Sequence, residues 1–179
     1  MRKLFNNAAL VPVDVQVLYA HAKIGNGTET TARKARKLGH LAQDFRDAGL
    51  KIVPVYFITD NRPDSKIDYY GYTPSKDDAK PLRKSSPSAV GATSLVKNLH
   101  DMKTKTVYLC GFKFNACVME TALDLKAEGF NVYIIKDLSG IGLGYGNTTQ
   151  KIRQAEKEMK KAGIKFTNSD KMLHPAPRK

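Results

Sequence analysis

The chain has 179 residues, of which 41% are hydrophobic and 8% aromatic, so we expect one globular domain over residues 1–179 with a flexible tail at residues 172–179. Two cysteines are too few for a disulfide framework, and no apolar run approaches the ~20 residues of a membrane span, which favours a soluble cytoplasmic protein without membrane contacts. The net charge of +13 is densest after residue 147 but has no interleaved aromatic residues, so we expect weak polyanion binding at most.

The first half of the chain alternates apolar runs with one amphipathic stretch. Thr28 is a suitable N-cap for the predicted helix. Pro12 cannot donate a ladder hydrogen bond, which predicts either a bulge or a position for this strand that is less central in the sheet. Residues 59–90 are rich in Pro, Asp, Ser, Tyr and Gly, and a connection of that length is usually functional or disordered. The predicted elements are a strand over residues 8–13, a helix over 28–48, a strand over 52–58 and a short strand near Leu82.

The second half contains a strand, turn, helix and strand in immediate succession. Gly129 ends the helix, and a glycine-rich loop at residues 139–146 lacks the spacing of a dinucleotide or nucleotide-phosphate loop. Strands alternating with helices predict an α/β domain of three layers (α/β/α) with a mostly parallel, six-stranded, Rossmann-like sheet. The predicted elements are a helix over residues 92–100, strands near 107–110 and 132–135 flanking a helix from Ala116, a basic helix from Thr148 and an edge strand over 164–167.

Cys117 follows a buried strand at the start of a predicted helix. The unpaired N–H groups and positive dipole end of a helix N-terminus stabilise a thiolate, so we expect its pKa below the ordinary value of about 8.5. The same N–H groups can hold the oxyanion of a tetrahedral intermediate. The alternative is a buried core cysteine, which is our interpretation of Cys110 inside the strand.

Three reactive side chains follow predicted parallel strands: Asp14, Lys84 and Cys117. The carboxyl ends of such strands meet at one edge of the sheet, where ligands bind, so we expect these side chains to converge. The four histidines are scattered, which indicates neither a zinc site nor a Cys–His dyad. Asp14 is then the available proton acceptor and Lys84 the available cation, although in isolation they suit a loop-capping carboxylate and a surface lysine.

Three motifs in this order resemble those of the isochorismatase-like cysteine hydrolases, which include nicotinamidases and N-carbamoyl-amino-acid amidases. An Asp-x-Gln motif appears as Asp14 and Gln16. A lysine followed by Ser-Ala and a hydrophobic residue appears from Lys84 to Val90. The nucleophile motif runs from Gly111 to Val118 and continues into a Thr-Ala-x-Asp helix at Thr121. The likeness covers roughly residues 8–170 and implies the isochorismatase-like fold.

The resemblance also implies a mechanism. Cys117 attacks a carbonyl carbon and forms a thioester, while Asp14 takes the thiol proton and returns it to the leaving amine. Lys84 favours the charged forms of both groups, because an adjacent cation lowers their pKa values. The backbone N–H groups of Lys113 and Cys117 form the oxyanion hole, and the Phe112–Lys113 peptide bond is cis. Gln16 and Tyr19 are expected to contact substrate.

Two departures from the family pattern concern the substrate pocket. Nicotinamidases carry zinc ligands in an Asp-x-His-Pro motif, where this chain has arginine at position 62, and arginine does not ligate metal. We therefore expect neither a metal nor another cofactor, and Arg62 becomes a candidate partner for a substrate carboxylate. Phe114 replaces the commoner threonine and is expected to make the pocket more apolar.

These features predict a metal-independent cysteine hydrolase that cleaves a C–N bond of a small amide or carbamoyl compound, and the resemblance implies a homo-oligomer. One alternative is the vinyl-ether hydrolysis of isochorismatases, although members with that chemistry typically lack the cysteine. The other is a catalytically idle family member that acts as a binding or scaffold protein, with polyanions as a partner that suits its charge.

Overall fold

The protein is represented by a computed structural model that describes residues 5, 7–58, 67–142 and 148–173. Its strands are all parallel to their sheet neighbours, in the order β4-β3-β1-β5-β6-β7, with β2 pairing with β1 ahead of β3. The strands are β1 (Ala8–Val13), β2 (Lys51–Ile52), β3 (Val55–Phe57), β4 (Leu82–Lys84), β5 (Thr106–Phe112), β6 (Asn131–Gly140) and β7 (Lys165–Thr167).

Helices cover both faces of this sheet, which confirms the three-layer α/β/α prediction. One face packs against α3 (Leu95–Asp101), α4 (Met119–Ala127) and α5 (Thr148–Lys161). The other packs against α1 (Val17–Ala20), α2 (Glu29–Asp47) and α6 (Ser169–Leu173). Every residue of β1 is buried, since alternate side chains enter two separate cores, and this explains its continuous apolar sequence.

The central position of β1 is compatible with Pro12 because the neighbouring strand is interrupted. The N–H of Val53 donates to the carbonyl of Leu10, and the N–H of Asp14 donates to the carbonyl of Val55, each at 2.9 Å. Even-numbered residues of β1 therefore direct their backbone groups toward β2 and β3, and Pro12, which has no N–H, faces the break between them. The expectation of a bulge or a less central strand is wrong, and so is the uninterrupted strand predicted over residues 52–58.

Other element boundaries differ from the predictions. Helix α3 begins at Leu95 instead of residue 92. Strand β6 extends through Gly140 into the glycine-rich loop predicted at residues 139–146, of which residues 143–146 lie outside the described part. Met172 is buried in α6, so the predicted tail does not include residues 172 and 173, and residues 174–179 are not described. Helix α2 matches its prediction: the Thr28 side chain accepts from the Thr31 N–H in a capping box.

None of the described helices is both long and apolar enough to span a membrane.

Candidate active site

Asp14 and Lys84 form a buried ion pair where two strands end. Asp14 directly follows β1 with a left-handed backbone (φ +52°), and Lys84 is the last residue of β4. The ammonium of Lys84 donates to Asp14 Oδ2 at 2.8 Å, and both side chains are completely inaccessible to solvent. A second bond from Lys84 Nζ to the carbonyl of Ser86 (3.2 Å) and the Phe57 ring, 4.8 Å away, complete the surroundings of the ammonium. A pair buried this fully needs such contacts to offset its desolvation.

Cys117 lies in a π-helical turn, Phe114–Val118, between β5 and α4. The carbonyl of Lys113 accepts hydrogen bonds from the N–H groups of Ala116 and Val118, both at 3.1 Å. These two bonds close the turn that contains Cys117. The Phe112–Lys113 peptide bond is cis, as the family resemblance implies. Cys117 is 7% exposed and its thiol interacts with the Asp14 carboxyl and the Lys113 N–H. The predicted convergence of Asp14, Lys84 and Cys117 is therefore present.

The pKa values of Asp14 and Cys117 are both raised, whereas the adjacent Lys84 was expected to lower them. Burial raises the pKa of Asp14 to about 6, against the opposing effect of Lys84. Burial and the negative charge of Asp14 raise the pKa of Cys117 to about 11, although Lys84 and the Lys113 N–H act in the opposite direction. The prediction of a lowered thiol pKa is thus wrong for the free protein, because burial and a neighbouring carboxylate outweigh the cation and the helix end. At neutral pH the site holds a carboxylate and a thiol.

One oxygen of Asp14 is held differently from the other. Oδ2 accepts from Lys84, whereas Oδ1 is buried and has no conventional hydrogen-bond partner among the described residues. A buried acceptor without a partner is costly, and such groups in native structures often mark a site of chemistry. Oδ1 is the oxygen of this carboxylate that is available to accept a proton.

Gln16 connects the end of β1 to β3. Its amide nitrogen donates to the Phe57 carbonyl (3.2 Å), and its amide oxygen accepts from the Phe57 N–H (2.9 Å). Gln16 is 8% exposed. Both polar atoms of the side chain thus bind the backbone of β3. The substrate contact expected of Gln16 stays a prediction.

Tyr19 and Phe114 are the aromatic residues predicted to line the pocket. Tyr19 is buried beside the site, with its ring edge-on to that of Phe57 (centroids 6.5 Å apart) and the ammonium of Lys113 5.3 Å from its ring centroid. Phe114 belongs to the same hydrophobic core as Cys117. Arg62, the predicted partner of a substrate carboxylate, lies outside the described residues.

Three contributions to the site were missed by sequence reasoning. The side chain of Lys113 faces the Tyr19 ring, whereas only its backbone N–H was predicted to act. Phe57 packs under the Lys84 ammonium. Thr121 binds the Ala89 N–H through its hydroxyl, at 3.1 Å. Only Thr121 had a sequence signal, since it is placed one helical turn after Cys117 in the nucleophile motif.

Gly111 allows β5 to approach β1 closely at the site. A Cβ at this position would lie 2.0 Å from the Val13 carbonyl oxygen, and the backbone has φ +118°. Both the space and the conformation require glycine. The closeness of these strands places the turn that carries Cys117 beside Asp14.

A zinc site does not fit the described residues. Among them no group of three or more His, Cys, Asp and Glu side chains is arranged to hold a metal ion. His21 accepts from the N–H groups of Lys23 and Ile24, and the His100 ring packs on Phe130. Residues 60–63, which correspond to the zinc motif of nicotinamidases, are not described, and their sequence contains no histidine.

The chain is similar to known protein sequences. A family model described as the isochorismatase domain matches residues 8–170. Isochorismatase family protein 2B of Dictyostelium discoideum is 30% identical over 69 residues, which are 38% of this chain and 30% of that protein. The secreted isochorismatase effector Isc1 of Phytophthora sojae is 34% identical over 53 residues, 28% of this chain and 25% of that protein. Each match thus covers less than a third of the relative's length.

Solved structures share the fold over nearly the whole chain. The pyrazinamidase of Pyrococcus horikoshii, solved in complex with zinc, has a TM-score of 0.75 at 24% identity, covering 91% of this chain and 99% of that one. An isochorismatase-like hydrolase from Alkaliphilus metalliredigens has a TM-score of 0.78 at 19% identity, covering 94% and 98%. Nicotinamidase PncA from Bacillus subtilis has a TM-score of 0.73 at 18% identity, covering 91% and 100%. At such identities the likeness establishes the fold and leaves the substrate open.

Proposed function

The chain belongs to the isochorismatase family of hydrolases, and from this membership we propose that it is a metal-independent cysteine hydrolase cleaving a C–N bond of a small amide or carbamoyl compound. The observation that carries the proposal is the buried Asp14–Lys84 ion pair, both members of which interact electrostatically with the Cys117 thiol. Nucleophile, proton acceptor and cation are the three components that such a reaction needs without a histidine.

The first half-reaction forms a thioester. Asp14 Oδ1 accepts the thiol proton as Cys117 Sγ bonds to the carbonyl carbon, and the C–N bond then breaks. The same proton passes from Asp14 to the leaving nitrogen, so a primary amide and the thiol become a thioester and ammonia. Because the resting thiol is protonated, proton transfer accompanies the attack and no thiolate accumulates beforehand.

The second half-reaction releases the acid. Asp14 accepts a proton from water as the water oxygen bonds to the thioester carbon. As the C–S bond breaks, Asp14 returns this proton to Sγ, which regenerates the Cys117 thiol and the Asp14 carboxylate. Lys84 keeps a positive charge beside Asp14 throughout, which limits the cost of moving protons in a buried site. The N–H groups of Lys113 and Cys117 serve as oxyanion donors in both steps.

Metal independence is supported by the residues present. The described part of the chain offers no metal cluster, and Arg62 occupies the position of a ligand in the nicotinamidase motif. Neither the nucleophile nor the base in this proposal requires a metal-bound water. The homo-oligomeric state, the cytoplasmic location and weak polyanion binding stay predictions.

The experiment that tests the proposal is a screen of small amides and carbamoyl compounds by ammonia release, in protein treated with a chelator. We expect turnover by the wild type and none by Cys117→Ala, and denaturation of the wild type during turnover should release a Cys117 peptide heavier by the acyl group. Full turnover by Cys117→Ala would contradict the mechanism, and activity restored only by added zinc would contradict metal independence. Pyruvate release from isochorismate is measured in parallel, because it would place the chain with the vinyl-ether hydrolases.

A further inference from the structure

A groove lies at the edge of the sheet opposite to the candidate active site. It is bounded by the segment that joins α3 to β5 and by the segment that joins α4 to β6, where these two strands begin. Its volume is about 410 Å³, which is within the range of sites for small molecules. The side chains of His100, Lys103, Lys105 and Glu128, which line it, are exposed.

Thr104 contributes an unsatisfied polar group to this groove. The residue is 6% exposed, and its hydroxyl oxygen is buried without a hydrogen-bond partner among the described residues. Its backbone N–H donates to the carbonyl of Leu99 at 2.9 Å, so the main chain is fixed whereas the hydroxyl is not. A buried hydroxyl without a partner costs free energy, and a ligand in the groove that takes this hydrogen bond would remove the cost.

Lys103 and Lys105 flank Thr104 in the chain. Neither ammonium has an ion-pair or hydrogen-bond partner in the part of the chain that the structure describes. The carbonyls at the ends of α3 and α4 already accept from backbone N–H groups, and the ammonium of Lys51 binds the Met102 carbonyl at 3.0 Å. The helix ends therefore do not depend on Lys103 and Lys105 as caps, which leaves both charges for a bound group.

The polar groups of the groove favour one kind of ligand. Two ammonium groups beside a hydroxyl, against the single carboxylate of Glu128, suit a dianion better than a carboxylate ligand. A phosphate monoester is close to a dianion at neutral pH and has three acceptor oxygens. The His100 ring packs on the buried Phe130 ring with centroids 5.1 Å apart, so one side of the groove is aromatic and suits the organic group of such an ester.

We propose that this groove binds a phosphate monoester, with Lys103, Lys105 and the Thr104 hydroxyl holding the phosphate and His100 beside the organic group. Because both lysine side chains are exposed and unpaired among the described residues, they can move to admit the phosphate to the hydroxyl. The groove is separate from the candidate active site, since it lies where β5 begins and Cys117 follows the other end of that strand. The inference therefore does not depend on the proposed function.

Titration of isotope-labelled protein, followed by its amide NMR signals, tests this site with phenyl phosphate, inorganic phosphate and sulfate. We expect the signals of Thr104, Lys105 and Gly129 to shift and saturate with phenyl phosphate, with a Kd of about 1 mM or lower. Cys117→Ala should bind as the wild type does. Inorganic phosphate that binds as tightly as the ester would overturn the assignment of an organic phosphate. Sulfate that binds as tightly, or shifts that never saturate, would overturn the site.

Replacing Thr104 separates ligand binding from stability. Thr104→Val keeps the shape of the side chain and removes the unsatisfied hydroxyl, so we expect a higher melting temperature together with an affinity for phenyl phosphate that is about tenfold lower. Thr104→Ser keeps the hydroxyl and should bind like the wild type. A lower melting temperature in Thr104→Val would mean that the hydroxyl has a structural role, and this result or an unchanged affinity would overturn the inference.

The two lysines are tested together. In the double variant Lys103→Met, Lys105→Met, which keeps both apolar stems, we expect the affinity for phenyl phosphate to fall by about tenfold or more while the melting temperature stays close to that of the wild type. Lys76→Met, which removes an exposed lysine of the segment before β4, is the matched control and should leave the affinity unchanged. Equal affinities of the double variant and the wild type would overturn the inference.

Discussion

The hydroxyl of Thr121 accepts a hydrogen bond from the backbone N–H of Ala89 at 3.1 Å, and both residues are completely buried. Thr121 lies in α4, one turn after Cys117, and Ala89 lies five residues after Lys84. The Ser86 carbonyl in the same connection accepts from Lys84. The bond therefore joins the segment that holds the lysine to the helix that follows the nucleophile.

Replacing Thr121 tests this connection. Thr121→Val keeps the shape of the side chain but leaves the Ala89 N–H buried without an acceptor, which should lower the free energy of unfolding by about 1–3 kcal/mol. Thr121→Ser keeps the acceptor and should stay closer to wild type. Urea denaturation of the three proteins measures the difference, and equal stability of the Val and Ser variants would show that the bond contributes nothing.

The rate of hydrolysis should rise with pH through about 6. Asp14 acts as a base only when deprotonated, and burial raises its pKa to about 6, so the proton must leave before the carboxyl can accept one from the thiol. A pH profile of kcat/KM on a confirmed substrate measures this limb. Asp14→Asn should lower the rate by about 10²–10⁴-fold and remove the limb. An unchanged profile in that variant would exclude Asp14 as the base.

Alkylation of Cys117 by iodoacetamide should be slow at neutral pH and accelerate toward pH 11. Burial and the Asp14 carboxylate raise the pKa of the thiol, and only the thiolate reacts. The measurement is the pseudo-first-order rate from pH 6 to 11, with N-acetylcysteine as the reference thiol. Labelling at pH 7 faster than that of the reference would indicate a preformed thiolate and would contradict the resting state described above.

Removing one member of the buried ion pair should cost more than removing both. Lys84→Met leaves the Asp14 carboxylate buried without its cation, and loss of one partner of such a pair typically costs about 3–5 kcal/mol. In the double variant Asp14→Asn, Lys84→Met no charge is left, so part of that loss should be recovered. Denaturant unfolding of the two single variants and the double variant forms the cycle. Additive losses would mean that the charges do not act as a pair.

A second ion pair fixes the segment before β4 to α2. Asp78, whose side chain is fully buried, accepts two bonds from Arg46 at 2.8 Å and one from the Tyr72 hydroxyl at 2.7 Å. Asp78→Ala should lower the free energy of unfolding by about 3 kcal/mol. Asp101→Ala, which breaks the exposed Lys97–Asp101 pair, is the control and should change it by less than about 0.5 kcal/mol.

The stabilising effect of Asp78 should also depend on pH. Burial acts to raise its pKa. This effect is outweighed by the hydrogen bonds that Asp78 accepts from Arg46, the Ser75 N–H and the Tyr72 hydroxyl, so the pKa lies below the ordinary 3.8. The contribution is therefore complete above pH 3.8 and is lost as the pH falls through the lower folded value. Wild type and Asp78→Ala should converge in stability below that value, and a constant difference at all pH values would contradict this assignment.

The sequence predicts much of the fold because the residues of β1 are apolar on both faces, which is characteristic of a covered parallel strand. It predicts the meeting of Asp14, Lys84 and Cys117 because each follows a strand of one parallel sheet. In both cases a local pattern and a general rule of chain topology suffice.

Other features depend on contacts that no local pattern reveals. Strand β6 continues through Gly140, where the Ser139 hydroxyl donates to the Ile135 carbonyl (2.8 Å) and the ammonium of Lys34 binds the Ser139 carbonyl from a position 105 residues away. The pKa of Cys117 likewise depends on how deeply the folded chain buries it, and the helix-start pattern alone suggested the opposite direction. The sequence at Phe114–Val118 does not distinguish a π-helical turn from the start of an α-helix, so this turn was not predicted.

The ion pair of Asp14 and Lys84 joins residues 70 positions apart, and Cys117 is contributed by a third strand end. Closing such loops is slow, so a chain that has formed only β1 and α2 contains the carboxylate but neither the lysine nor the thiol beside it. The reactive groups come together only after β4 and β5 have docked. The slowing of Cys117 alkylation during refolding would therefore report the arrival of the last of these strands, and the appearance of activity cannot precede it.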